Sequence, residues 1–129
     1  MTKYVATITP PTPNGDLHIG HIAGPFLAAD VFTRVQRQLG NDCLLVSYSD
    51  DYQSYMLRKG LELNRAPQSL ATENSDRIEA SLRTMAIEVD HWLRPYRNPV
   101  FAQAVKEVFE AAGAAGAIVY KEQIGRAHV

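Results

Sequence analysis

Apolar positions along the chain fall into short continuous runs and longer stretches in which they recur every three to four residues, the signatures of strands and helices respectively. Tyr4 to Thr9 is a run of strand-forming residues that stops at Pro10, Pro11 and Pro13, none of which can donate to a sheet ladder. The run predicts a strand that gives way to a rigid loop. Asn14-Gly15 adds a turn signal, and beyond it Ile19, Ile22, Phe26, Leu27, Val31, Val35 and Leu39 keep helical spacing. That spacing predicts one helix from about His18 to Leu39, closed by Gly40. Cys43 to Tyr48 is an unbroken apolar run, as expected of a strand buried on both faces of a parallel sheet, and it ends in the polar cluster Ser49, Asp50 and Asp51.

A shorter helix is predicted from about Ser54 to Leu63, and Pro67 is placed as the first helical residue of another reaching about Met85. Glu88 to Leu93 reads as a third strand. Asn98-Pro99 supplies a cap followed by a first-turn proline, and Val100, Ala104, Val105, Val108 and Phe109 mark an apolar helix face up to Gly113 or Gly116. Ala117 to Lys121 reads as a final strand. The alternation of strand and helix predicts an α/β fold with an open, mostly parallel sheet and flanking helices. The sequence contains no internal repeat, low-complexity tract or linker.

Composition narrows the picture. The 129 residues, 46% hydrophobic and 21% charged, suit one globular domain and exclude a disordered or collagen-like chain. Thirteen Lys and Arg against fourteen Asp and Glu leave a formal charge of -1, so no strongly basic field advertises a nucleic-acid surface. The single Cys43 excludes an intramolecular disulfide framework and a thiolate metal cluster, and fits a reducing, cytoplasmic setting. Met1 to Thr9 lacks the charged and apolar regions of a secretion signal, and no stretch approaches the roughly 20 apolar residues of a membrane span. The expectation is a protein with no membrane partner. The last six residues, Ile124-Gly125-Arg126-Ala127-His128-Val129, read as a translated sequencing-library adapter, so Arg126 and His128 receive no functional weight. Residues 1–123 are then expected to be the start of a longer natural protein.

In open α/β sheets, ligands sit beyond the carboxyl ends of the strands. The loop Thr9 to Leu17 and the cluster Ser49 to Asp51 both lie at such ends. Gly15 and Gly20 remove side chains where backbone must approach a ligand, and the helix opening near His18 offers free N–H groups and a positive dipole end suited to phosphate. That combination points to a nucleotide. His18 and His21 are three apart, so on a helix they share a face from which both imidazoles can donate to one phosphoryl group as its charge builds. Standing alone, the pair reads equally well as a capping or exposed pair without a task. No acid or third histidine lies at ligand spacing, so no metal site is assigned.

The pair does not stand alone. Pro10-Pro11-Thr12-Pro13-Asn14-Gly15-Asp16-Leu17-His18-Ile19-Gly20-His21 resembles the first signature of the class I aminoacyl-tRNA synthetases, above all the methionyl branch, where it follows the first strand of a Rossmann fold. The resemblance continues through Ala29-Asp30, Arg34, Arg37 and Gly40 into Ser49-Asp50, and covers Tyr4 to Glu122. Asp30 and Arg34, four apart, read as a helix-face ion pair and not as catalytic groups. The resemblance implies a Rossmann-like open parallel sheet with flanking helices, the amino-terminal half of a class I catalytic domain over residues 1–123. It further implies an aminoacyl-tRNA ligase that activates an amino acid with Mg2+-ATP to an aminoacyl-adenylate and transfers it to tRNA. On this reading His18 and His21 are catalytic and stabilise the α-phosphate, and Gly20 leaves room for the adenine. Asn14 and Gly15 complete the ATP loop. Pro10, Thr12 and Asp50 contact the amino acid, Asp50 receiving its α-ammonium group as a strand-end carboxylate can in a partly dry pocket. Asp51 reads as its support or a cap.

Departures from the family pattern loosen the choice of methionine as the substrate. Pro10 and Thr12 stand where methionyl enzymes carry a Leu-like residue and a Tyr, and Asp51-Tyr52-Gln53 replaces the usual Glu-His-Gly. The family's second signature, a lysine-rich loop on the ATP phosphates, is absent from the sequence, so the chain alone is expected to be inactive and to meet tRNA only through regions it lacks. Two alternatives stay open: a paralogue that adenylates an amino acid for a non-tRNA acceptor, and a non-catalytic synthetase-like binding protein.

Overall fold

The computed structural model of the chain describes residues 1–120, which fall into two units, Met1–Asn98 and the segment from Pro99 onward, each treated by itself. In the first unit, strand β1 (Lys3–Thr7) pairs in parallel with β2 (Asp42–Tyr48), Tyr4 opposite Cys43 and Thr7 opposite Val46. On its other side β2 pairs in parallel with β3 (His91–Leu93), Val46 opposite His91, giving the order β1-β2-β3. β1 ends before the predicted Thr9. Ile8 still donates to the Val46 carbonyl at 3.3 Å, but Pro10 and Pro11 have no N–H with which to continue. β3 is shorter than the predicted Glu88–Leu93 because the Glu88 N–H is taken by Asp30 Oδ1 at 3.2 Å.

The register sets one face of the sheet against helices. Ile8 and Leu45 pack with Phe26, Ile78, Leu82 and Ile87, and Ala6, Leu17, Ala29 and Trp92 close the edges of this core. Each fully buried side chain of the size of Leu45 or Ile78 contributes about 1.5–3 kcal/mol relative to exposure. Along β2 the buried residues alternate, Cys43, Leu45 and Ser47 facing inward, while Leu44 and Tyr48 on the opposite face remain 45% and 40% exposed. The apolar run predicted a strand covered on both sides; among the described residues it is covered on one.

The helix predicted as one rod from His18 to Leu39 is broken into α1 (Ile19–His21), a π-helical turn (Ile22–Phe26) and α2 (Leu27–Gln38). Pro25 explains the break. It has no N–H to return to the carbonyl of His21, and the Leu27 N–H instead reaches back to Ile22 and Gly24. Gly40 ends α2 at φ +78, its N–H bonded to Arg37 and that of Asn41 to Gln36, both at 3.0 Å, as predicted.

Two further helices, α3 (Ser54–Leu63) and α4 (Pro67–Thr84), lie where expected, with Pro67 in the first turn of α4. Met56, Leu70 and Ala71 form a second small core against Tyr96, which belongs to a 3-10 turn (Pro95–Arg97). Arg37 ties α2 to the sheet through the Cys43 carbonyl at 2.8 and 3.0 Å and through Asp90 at 2.6 Å, and Asp90 also accepts the Leu45 N–H at 2.7 Å. Asp30 and Arg34 form the expected pair at 2.7 Å, with Arg34 also donating to the Ala86 carbonyl.

The second unit contains α5 (Pro99–Ala114). Of the two stop signals in the sequence, Gly116 is the one used, at φ +70, with its N–H on Gly113 and that of Ala117 on Ala112. Ala117 to Tyr120 do not form the predicted final strand; Lys121 and the 124–129 tail lie outside the described residues. No helix among the described residues is long and apolar enough to cross a membrane.

Candidate functional site

The loop after β1 is built from residues that resist regular pairing, and its shape comes from contacts made elsewhere. Asn14 donates its N–H to the Thr12 carbonyl at 2.8 Å, making a tight turn around the buried Pro13. From α4, Asn74 Nδ2 donates to the Pro13 carbonyl at 2.8 Å. Asp16 accepts the Leu17 N–H at 2.7 Å and the Ser81 hydroxyl at 3.0 Å. At the end of β2, the Asp50 N–H bonds the Pro11 carbonyl at 3.0 Å, so the loop and the Ser49–Asp51 cluster, separate in sequence, meet through backbone.

A cleft of about 580 Å³ opens over this loop, lined by Thr9 to Thr12, Asn14 to Leu17, His21, Pro25, Phe26, Tyr55 and Ile78. Of the residues predicted from sequence it brings together Pro10, Thr12, Asn14, Gly15 and His21. His18 and Gly20 sit on the turn just ahead of His21, outside the lining. Asp50 is also outside it, half-buried, with its carboxylate accepting a hydrogen bond from Gln53. Asp51 is buried and caps the Pro95–Arg97 turn by accepting the Tyr96 N–H at 3.0 Å.

The two histidines divide their work. His18 is the N-cap of α1: its Nδ1 accepts the N–H groups of Gly20 at 3.0 Å and His21 at 3.3 Å. An accepting Nδ1 leaves the proton of a neutral ring on Nε2, which is then the donor left for a ligand. The His18 and His21 rings stack, centroids 3.6 Å apart and 23° from parallel. Partial desolvation, and secondarily the neighbouring His18, lowers the His21 pKa from the ordinary 6.5, which favours its neutral form. Gly20 favours this arrangement, since a Cβ there would lie 3.0 Å from His18 Cε1 and 3.1 Å from Nδ1, and the imidazole would have to give way. The missing side chain makes room for the capping imidazole itself, a constraint additional to the space for adenine inferred from sequence. Gly15 has open space around it.

Tyr55, Asn74, Ile78 and Ser81 were not anticipated. Tyr55 lies one residue into a helix whose start was predicted, but nothing in the sequence turned it toward the loop. Asn74 and Ser81 reach partners 61 and 65 residues away, beyond any local pattern. Among the described residues no group of three or more His, Cys, Asp or Glu gathers as a metal site.

A family profile described as "tRNA synthetases class I (M)" matches residues 4–127. The chain belongs to this family. The class I synthetase chain is 30% identical over 121 residues to the methionine–tRNA ligase of Pyrococcus furiosus, a match that covers 94% of this chain and 17% of that one. It superimposes on the Mycobacterium tuberculosis methionyl-tRNA synthetase solved in complex with methionyl-adenylate with a TM-score of 0.79 at 26% identity, covering 90% of this chain and 22% of that one. A leucyl enzyme of Agrobacterium radiobacter, in a ternary complex with tRNA, gives a TM-score of 0.82 at 19% identity, covering 89% and 15%, a likeness of fold alone. The class I synthetase chain thus spans about a fifth of the length of the relatives it matches.

Proposed function

We propose that the chain supplies the first half of the catalytic domain of an aminoacyl-tRNA synthetase, methionine being the leading substrate. The whole enzyme activates its amino acid with ATP to the adenylate and passes it to tRNA. The observation that carries this reading is the first turn of α1: His18 held as a cap through Nδ1, and His21 stacked on it at the wall of the cleft. Two fixed imidazole donors beside a helix N-terminus suit an α-phosphate that gains charge as a carboxylate attacks it, and prior fixation spares reorganisation in the transition state. Pro10, Thr12, Asn14 and Gly15 contribute the floor of the same cleft. Asp50, whose N–H bonds the Pro11 carbonyl and whose carboxylate accepts from Gln53, would receive the α-ammonium group on release from Gln53. Mg2+ enters with the nucleotide, on its phosphates. The setting is the cytoplasm, consistent with the buried free thiol of Cys43.

Pro10 and Thr12 in the cleft lining, which depart from the methionyl pattern, favour, as a second reading, a paralogue whose amino acid differs from methionine. Amino-acid-dependent ATP–pyrophosphate exchange tests the assignment. The 129-residue chain, lacking the lysine-rich second signature, gives no exchange, while the full-length protein encoded by the uninterrupted reading frame does. The full-length His21→Asn variant loses about a hundredfold or more, the scale of removing one transition-state donor. Exchange by the chain alone, or undiminished exchange in that variant, overturns the proposal.

A further inference from the structure

One face of α4 serves as the seat of the nucleotide loop. Asn74, Ile78 and Ser81 fall at helical spacing along it, and each meets the loop region differently. Asn74, itself buried, donates to the Pro13 carbonyl at 2.8 Å; Ile78, fully buried, forms part of the cleft wall; Ser81 donates to both Asp16 oxygens at 3.0 Å. The two polar contacts bracket Asn14-Gly15, two of the loop residues that line the cleft. Pro10, Pro11 and Pro13 can donate no backbone hydrogen bond, so the loop has few bonds of its own to fix its shape. Without Asn74 the Pro13 carbonyl would lose a buried partner, and without Ser81 the carboxylate that orders Leu17, the residue before His18, would lose its anchor.

We propose that Asn74 and Ser81 are positioning residues, a clamp by which α4 holds the loop from Pro13 to Asp16 in its ligand-ready shape. They act through Asn14, Gly15 and His18 and do not themselves touch the nucleotide. The effect on ATP rests on the nucleotide reading above, whereas the effect on the loop does not.

Amide hydrogen exchange and ATP titration of the 129-residue chain, compared across wild type, Asn74→Leu, Asn74→His and Ser81→Ala, test the clamp. Loss of one hydrogen bond of ordinary net strength corresponds to about a fivefold to tenfold change. Asn74→Leu and Ser81→Ala raise exchange at the amides of Asn14, Gly20 and His21 by that factor, leave the Leu45 amide in the sheet unchanged, and weaken ATP to the same degree. Asn74→His, whose Nδ1–H replaces the amide donor, returns both toward wild type. If Asn74→Leu fails to fold, Ser81→Ala at its half-buried site carries the test. Unchanged loop exchange, or sheet and loop amides rising together, overturns the clamp. Faster loop exchange in a chain that does not bind ATP even as wild type upholds the clamp and shows that this loop, without the lysine-rich second signature, does not hold ATP by itself.

Discussion

Replacing Gly20 by Ala separates the role of the first helical turn from ordinary helix propensity. Propensity alone favours the change by up to about 1 kcal/mol. Against it, the added Cβ would sit 3.0 Å from His18 Cε1 and 3.1 Å from Nδ1, closer than carbon atoms rest, and the imidazole is the part free to move. Rotating it away forfeits the hydrogen bonds to the Gly20 and His21 N–H groups, a cap of about 1 kcal/mol. It also forfeits the stack on His21 at 3.6 Å. The helix gain and the cap loss nearly cancel, so the melting temperature is the wrong readout. The imidazole nitrogens are the right one. Long-range proton–nitrogen correlation spectra of the wild-type chain above pH 7 show an unprotonated Nδ1 and a protonated Nε2 at His18. In Gly20→Ala both nitrogens move toward values averaged over the two tautomers, and the amides of residues 20 and 21 exchange about fivefold faster. A variant that keeps the wild-type His18 nitrogen shifts and the protection of both amides refutes the reasoning, because the cap then survives the Cβ.

Two further substitutions probe the frame that carries the site. Gly60→Ala puts a Cβ 2.8 Å from the Arg65 carbonyl oxygen and 3.2 Å from Pro67 Cγ, where backbone and a ring must yield, so overpacking of about 1–3 kcal/mol outweighs the helix gain. A thermal melt several degrees lower is expected, and an unchanged or higher midpoint contradicts it. At Asp90, burial raises the carboxyl pKa, but the hydrogen bonds from Arg37 and the Leu45 N–H, with the Arg37 charge, more than offset it and hold the group below its ordinary 3.8. A folded pKa below the unfolded one gives stability that is complete above about pH 4 and lost as pH falls through the folded value. Denaturant unfolding between pH 6 and pH 2 therefore shows an acid-side decline that is shallower in Asp90→Asn; equal slopes for the two proteins contradict the assignment.

The sequence carried the features that act locally. The helices expected at Ser54 to Leu63 and from Pro67 onward appeared almost to the residue as α3 and α4, and Gly40 marked the end of α2 because a left-handed residue is needed there. Pro25 was visible too, but the apolar spacing through Ile22, Phe26 and Leu27 outweighed it, since a π turn preserves the buried face while absorbing the missing N–H. The exposure of Leu44 and Tyr48 could not be read from an apolar run, which records what a strand tolerates and not what covers it. At the site, the loop and its two histidines were legible as a motif; that His18 spends one nitrogen on capping depends on a rotamer. Asn74, Ser81 and Tyr55 were hidden because polar residues on a helix look alike until the fold brings a partner to one of them.

The central claim is that the turn from His18 to His21 receives a phosphate at the cleft. Titrating the 129-residue chain with ATP and, separately, with adenosine while following the His18 Nε2 and His21 ring resonances tests it most directly. ATP is expected to shift both rings together with the Asn14 and Gly15 amides, and adenosine to leave the rings largely unmoved. Equal responses to ATP and adenosine, or ATP shifts that spare both imidazoles, would contradict it.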